Sequence, residues 1–127
     1  MGEMRTHKDL DIWKMSMSLV KDIYKLTESF PTHEQFGLTS QLRRASVSIP
    51  SNIAEGSARN GNKEFIQFCY ISLGSLSEVE TQVIISSELC FVEVKKAQVV
   101  LQNIELIRKK LLNFIKYLKN RGTVNAK

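Results

Sequence analysis

The cations are the residues of this chain with the most chemistry available to them. Eighteen Lys and Arg stand against thirteen Asp and Glu, a net charge of +5, and they are unevenly spread. Residues 1–60 hold eight basic and seven acidic side chains, residues 61–92 one and four, and residues 93–127 nine and two. Clustered cations bind phosphates by releasing condensed counterions, so the basic last quarter suits a polyanion. The acidic stretch before it equally suits complementary packing between subunits. The candidate phosphate contacts are Lys95, Lys96, Lys109, Lys110, Lys116 and Arg121, joined upstream by Arg43, Arg44, Arg59 and Lys63. For one isolated helix, a lysine-rich face is more simply a solvated one. Arg43 and Arg44 admit two roles. Their forked donors can pair with Glu78 or Glu80, within one subunit or between two, or line a basic surface; pairing is the first expectation.

Bond-making chemistry finds no such constellation. A catalytic nucleophile needs a base within hydrogen-bond reach. His7 lies in the polar N-terminus and His33 at the start of a helix, and neither has a helix-spaced acid or thiol partner. Di-metal sites in bundles use Glu-x-x-His motifs on facing helices, and Glu78 and Glu80 belong to none. The run Gly56-Ser-Ala-Arg-Asn-Gly61 lacks the strand–helix context of a phosphate loop. Cys69 and Cys90 have no zinc-like spacing, and both read as buried, reduced thiols. The expectation is a protein that is not an enzyme, with no metal, cofactor or small-molecule substrate. No apolar run approaches the roughly 20 residues of a membrane span, and the N-terminus lacks the apolar stretch of a secretory signal. A cytoplasmic protein follows as the expectation.

Four amphipathic segments must position these side chains. The first, about 9–29, carries Ile12, Met15, Leu19, Ile23 and Leu26 at helical spacing, capped by Asp9 or Asp11 and stopped by Phe30-Pro31. The second, about 33–58, begins with Thr32 as N-cap, Gln35 at the capping-box position and a staple between Phe30 and Phe36. Its stripe is Leu38, Leu42, Ala45, Ile49 and Ile53, with Pro50 in mid-helix among small residues. Such a bent, slim helix admits another backbone closely. Asn60-Gly61-Asn62 reads as a turn. The third segment, about 62–90, runs its stripe from Phe65 to Cys90, with Gly74 and neighbouring serines thinning it as if opposite the second. The fourth, about 93–121, sets one broad apolar face against the lysines, with Gly122 as its stop and a frayed tail beyond. No strand alternation appears, so the fold class is all-α, an antiparallel up-down four-helix bundle in a single domain. Trp13, Met17, Tyr24, Phe68, Tyr70 and Ile71 exceed what one internal core requires, which points to subunit contacts.

Leu10-Asp-Ile-Trp13, Gln41-Leu-Arg-Arg-Ala45, Val47-Ser-Ile-Pro-Ser-Asn-Ile-Ala-Glu-Gly56 and Gly74-Ser-Leu76 closely resemble the bacterial four-helix bundle proteins encoded in intervening sequences of large-subunit ribosomal RNA genes. The likeness covers about residues 7–120, and the Ser-Ile-Pro-Ser-Asn-Ile-Ala-Glu-Gly block is its most specific part. Ser46 departs from the alanine of many members, small for small. The accessory variability protein of diversity-generating retroelements is a relative of this family. The resemblance implies a ring-like homopentamer with a central channel. In the retroelement relatives the basic barrel engages nucleic acid and a reverse transcriptase. The expected partners are therefore further copies of the chain, RNA or DNA (an RNA–DNA hybrid included), and a possible reverse transcriptase.

Overall fold

The structure is a computed structural model that describes residues 6–125. Four α-helices carry it: α1 (Asp11–Thr27), α2 (Leu38–Ser57), α3 (Asn62–Glu88) and α4 (Val94–Asn125). Among the described residues there is no strand. Each helix packs on two neighbours, α1 on α2 and α4, α3 on α2 and α4, while the diagonal pairs stay apart. That cyclic order makes a four-helix bundle around one apolar core, centred on Leu19, Ile23, Leu42, Ile49, Leu76, Val79, Ile104 and Leu111.

The helix ends differ from the sequence expectation, and each difference has a local cause. Neither Asp9 nor Asp11 caps α1. A 3-10 turn, His7–Asp9, precedes it, with Thr6 as its cap: the Thr6 N–H donates to Asp9 Oδ2 at 3.3 Å, and Thr6 Oγ1 accepts from the Lys8 N–H. The Leu10 carbonyl then receives the first N–H groups of α1. After Pro31 a second 3-10 turn, Thr32–Glu34, occupies the expected start of α2, so the Thr32–Gln35 capping box does not form. The helix begins only at Leu38, whose N–H donates to Glu34 Oε1 at 3.0 Å. The expected staple also fails. Phe30 is buried and stacks on Phe91, their centroids 5.8 Å apart, while Phe36 stands 91% exposed.

α3 ends in a Schellman motif: the Phe91 N–H donates to the Ser86 carbonyl and the Cys90 N–H to that of Ser87. This puts Cys90 in the left-handed region, φ 62°, and turns its side chain out to solvent. The apolar stripe therefore stops at Ser86, and the expected burial of Cys90 is overturned; Cys69 alone is buried. Gly122 does not stop α4. A glycine within a helix lowers its stability without ending it unless the backbone turns left-handed there. Positions 126 and 127 of the expected tail lie outside the described residues.

α2 continues through buried Pro50. Its small face meets α3: Ser72 Oγ donates to the Ile49 carbonyl at 2.9 Å, the Ser48 and Ser75 hydroxyls lie 2.8 Å apart, and Gln82 Nε2 donates to Gln41 Oε1 at 3.2 Å. Residue numbers rise along α2 as they fall along α3. Gly56 closes this interface, because a Cβ there would lie 2.7 Å from Phe68 Cβ. Gly74 does not share this role. A Cβ on it would meet nothing within 4 Å, so it faces away from α2, contrary to expectation.

Candidate functional site

The exposed side of α4 presents the largest group of candidate cations. Val100, Ile104, Ile107, Leu111, Ile115 and Leu118 recur at three and four residues and hold one side of α4 in the core. That fixes Lys95, Lys96, Lys109, Lys110, Lys116 and Arg121 outside, and all six are exposed. Lys96 lies 3.6 Å from Glu93, an exposed pair three residues apart that holds little energy. Lys95, Lys109, Lys110 and Lys116 have no ion pair among the described residues. At 100° per residue they fall in two rows, Lys95, Lys109 and Lys116 on one side and Lys96, Lys110 and Arg121 on the other.

The upstream cations separate into two further places. Arg43 and Arg44 line a groove of about 570 Å³ between α1 and α2, together with Tyr24 and Phe36. The expected pairing of these arginines with Glu78 or Glu80 does not occur within the subunit. Arg43 turns to α1, where Nε donates to Thr27 Oγ1 at 2.9 Å, Nη2 to the Tyr24 carbonyl at 3.3 Å, and the guanidinium lies 4.5 Å from the Tyr24 ring centroid. Arg44 is exposed and without a hydrogen bond or ion pair among the described residues. Arg59 and Arg121 share a smaller cleft, about 250 Å³, at the opposite end of the bundle beside Phe65, Phe114 and Tyr117. Arg59 is held by Glu55 at 2.8 Å and lies over Phe68, as the i,i+4 spacing predicts for the ion pair. Lys63 is exposed on the first turn of α3.

Glu80 takes Arg108 instead, at 2.7 Å, and Arg108 also pairs with Glu105. This bracket across α3 and α4 is the charged contact that sequence reasoning missed. Glu105 three residues before Arg108 was a visible signal; Glu80 was not, because the pairing joins helices 28 residues apart. Lys119 Nζ contacts the Tyr70 hydroxyl at 3.0 Å and lies above its ring, a second unexpected bridge of the same seam.

The expected subunit-contact residues are distributed unequally. Trp13 packs partly on the core and edge-on to His7. Met17 and Phe68 are half-buried, whereas Tyr24, Tyr70 and Ile71 are exposed. Burial pushes the Cys69 thiol up from 9.0 to about 12, which leaves it a neutral packing group. Among the described residues, no group of three His, Cys, Asp or Glu is placed to hold a metal, and no helix is long and apolar enough to cross a membrane.

The same bundle is seen in a crystal structure of a protein of unknown function from the S23 ribosomal protein family of Bacteroides thetaiotaomicron VPI-5482, with a TM-score of 0.76. The match covers 83% of this chain and 95% of that one at 21% identity, a likeness of fold. A comparison with curated proteins finds no match. The sequence itself fits the family of the 23S rRNA-intervening sequence protein over residues 8–113, and the chain belongs to that family.

Proposed function

We propose that this protein is a cytoplasmic, non-catalytic homo-oligomer that holds RNA or DNA by its phosphates with little sequence preference. One observation carries the reading: four lysines on the outer side of α4 are exposed and have no carboxylate partner among the described residues. The opposed numbering of the α2–α3 contacts supports an antiparallel up-down bundle. Exposed Tyr70 and Ile71 support further copies packing on it, and a ring of five matches the family resemblance. Five copies of a +5 chain carry about +25, so weak phosphate contacts add through multivalency.

Fluorescence anisotropy with a labelled RNA, titrated from low to high salt, tests this. Binding should weaken steeply, and Lys109→Ala with Lys110→Ala should flatten the log–log salt slope by about 1.4 to 1.8 for each protomer engaged. Failure to retain RNA or DNA at low salt would remove the proposal. A second reading has its own support. Leu106 and Leu112 are exposed beside Arg108 and Lys109 in a depression of about 900 Å³ along α4, a surface suited to an acidic protein partner or a reverse transcriptase.

A further inference from the structure

We infer that the α1–α2 groove is a seat for single-stranded nucleic acid, in which a base stacks on Phe36 and a phosphate sits between Arg43 and Arg44. The inference rests on the nucleic-acid reading above and adds a preference for unpaired strands at a place apart from the α4 lysines.

Phe36 is the starting point. It is 91% exposed, on the connection between α1 and α2, and takes no part in the buried core. It lines the same groove as Tyr24, Arg43 and Arg44. The groove, about 570 Å³, falls within the range of about 300–1,000 Å³ typical of ligand pockets. Its remaining lining is neutral, from serine, threonine, glutamine and valine, and no carboxylate lines it among the described residues. The depression beside Cys90 instead carries Asp22 and Glu93, and the one along α4 carries Glu105.

The two arginines are prepared differently. Arg43 is fixed before any ligand arrives: Thr27 and the Tyr24 carbonyl accept from Nε and Nη2, and the Tyr24 ring supports the guanidinium plane. Its remaining nitrogen, Nη1, is left for an oxyanion. Arg44 stands free on the next residue and supplies a second donor fork. Aromatic rings beside a basic groove are the arrangement that holds unpaired strands, because every base has a face to stack and the backbone follows the cations. In a duplex the bases are already stacked inside, so Phe36 has nothing to take, whereas phosphates remain available to the α4 lysines.

The test uses the full chain and two labelled probes, a 12-nucleotide single-stranded RNA and a blunt duplex of the same sequence, with Phe36→Ala and Arg44→Ala as variants. Phe36→Ala is expected to weaken the single strand by about 5- to 100-fold with its salt slope unchanged, and to leave the duplex as it was. Arg44→Ala is expected to flatten the single-strand slope by about 0.7. Equal binding of the single strand by the parent and Phe36→Ala, or equal losses on both probes, overturns the inference and leaves the nucleic-acid reading standing. A parent that binds neither probe at low salt overturns both. Light scattering on the same samples guards the assignment: if Phe36→Ala lowers the oligomer mass, the ring is a protein contact and the seat is refuted.

Discussion

Replacing Gly56 and Gly74 by alanine should move stability in opposite directions, although both glycines lie inside long helices of the same bundle. In isolation each change favours the helix by about 1 kcal/mol, because alanine has less backbone freedom to lose. At Gly74 nothing stands within 4 Å of the added Cβ, so that gain is expected in full. At Gly56 the Cβ would lie 2.7 Å from Phe68 Cβ and 2.9 Å from Phe65 Cδ1. Phe68 Cβ is bonded to its own backbone and cannot rotate away, so α2 and α3 must separate. Overpacking of this kind costs about 1–3 kcal/mol, which outweighs the helix gain and leaves a net loss of about 1 kcal/mol. The two variants should then differ by about 2 kcal/mol, roughly 8 °C in Tm for a domain of this size. Circular dichroism melts and urea titrations at one fixed protomer concentration measure it, since oligomer stability depends on concentration. A Gly56→Ala protein melting at or above the parent would refute the close approach of α2 to α3. A Gly74→Ala protein melting below the parent would refute the open surface on α3.

The other perturbations separate the charged and thiol groups by role. Arg108→Ala should cost about 1 kcal/mol by stranding Glu80, more at low salt, while the salt slope of RNA binding stays constant; a flattened slope would place Arg108 among the phosphate contacts. A thiol reagent at pH 8 should modify Cys90 in the folded protein and Cys69 only after denaturation, and early modification of Cys69 would contradict its burial. Because the folded Cys69 thiol holds its proton up to about 12, against 9.0 ordinarily, the unfolded chain releases protons first on raising the pH. Stability from this group is complete below about pH 9 and is lost between about 9 and 12. Cys69→Ala should lessen that alkaline loss, and an unchanged profile would contradict it.

The helices were legible wherever periodicity alone decided. Ile104, Ile107, Leu111, Ile115 and Leu118 follow a helical stripe, and all are buried. Their ends were less legible, because caps depend on backbone conformation. Thr32 and Gln35 have the right spacing for a capping box, yet Pro31 leads into a 3-10 turn and the box has no helix to cap. Cys90 fits the stripe by spacing, but the Schellman turn ends the helix before it. Gly74 shows the same limit in packing: composition marks it as small, and only the helix rotation tells that it faces outward. Among the cations, exposure followed from the α4 pattern, whereas partnership did not. Arg43 found a hydroxyl and a carbonyl on α1, and Glu80 found Arg108 on α4. Both are contacts between helices that spacing within one helix cannot register.

Those contacts divide the basic residues by location. Cations near the helix seams are engaged: Arg43 joins α2 to α1, and Arg108 and Lys119 join α4 to α3. Arg108 and Lys119 already have oxygen acceptors or an aromatic ring, so a phosphate must compete for them, whereas Arg43 uses Nε and Nη2 on α1 and keeps Nη1 open. Lys95, Lys109, Lys110 and Lys116 face away from the seams, where the bundle needs no charge and none of the described carboxylates pairs with them. Exposed cations without partners are held only by water and mobile counterions, which a polyanion displaces with a gain in entropy. The functional charge of this protein is therefore the part its fold does not use. Phe36 follows the same logic among the aromatics, since Phe30 and Phe91 close the end of the core without it.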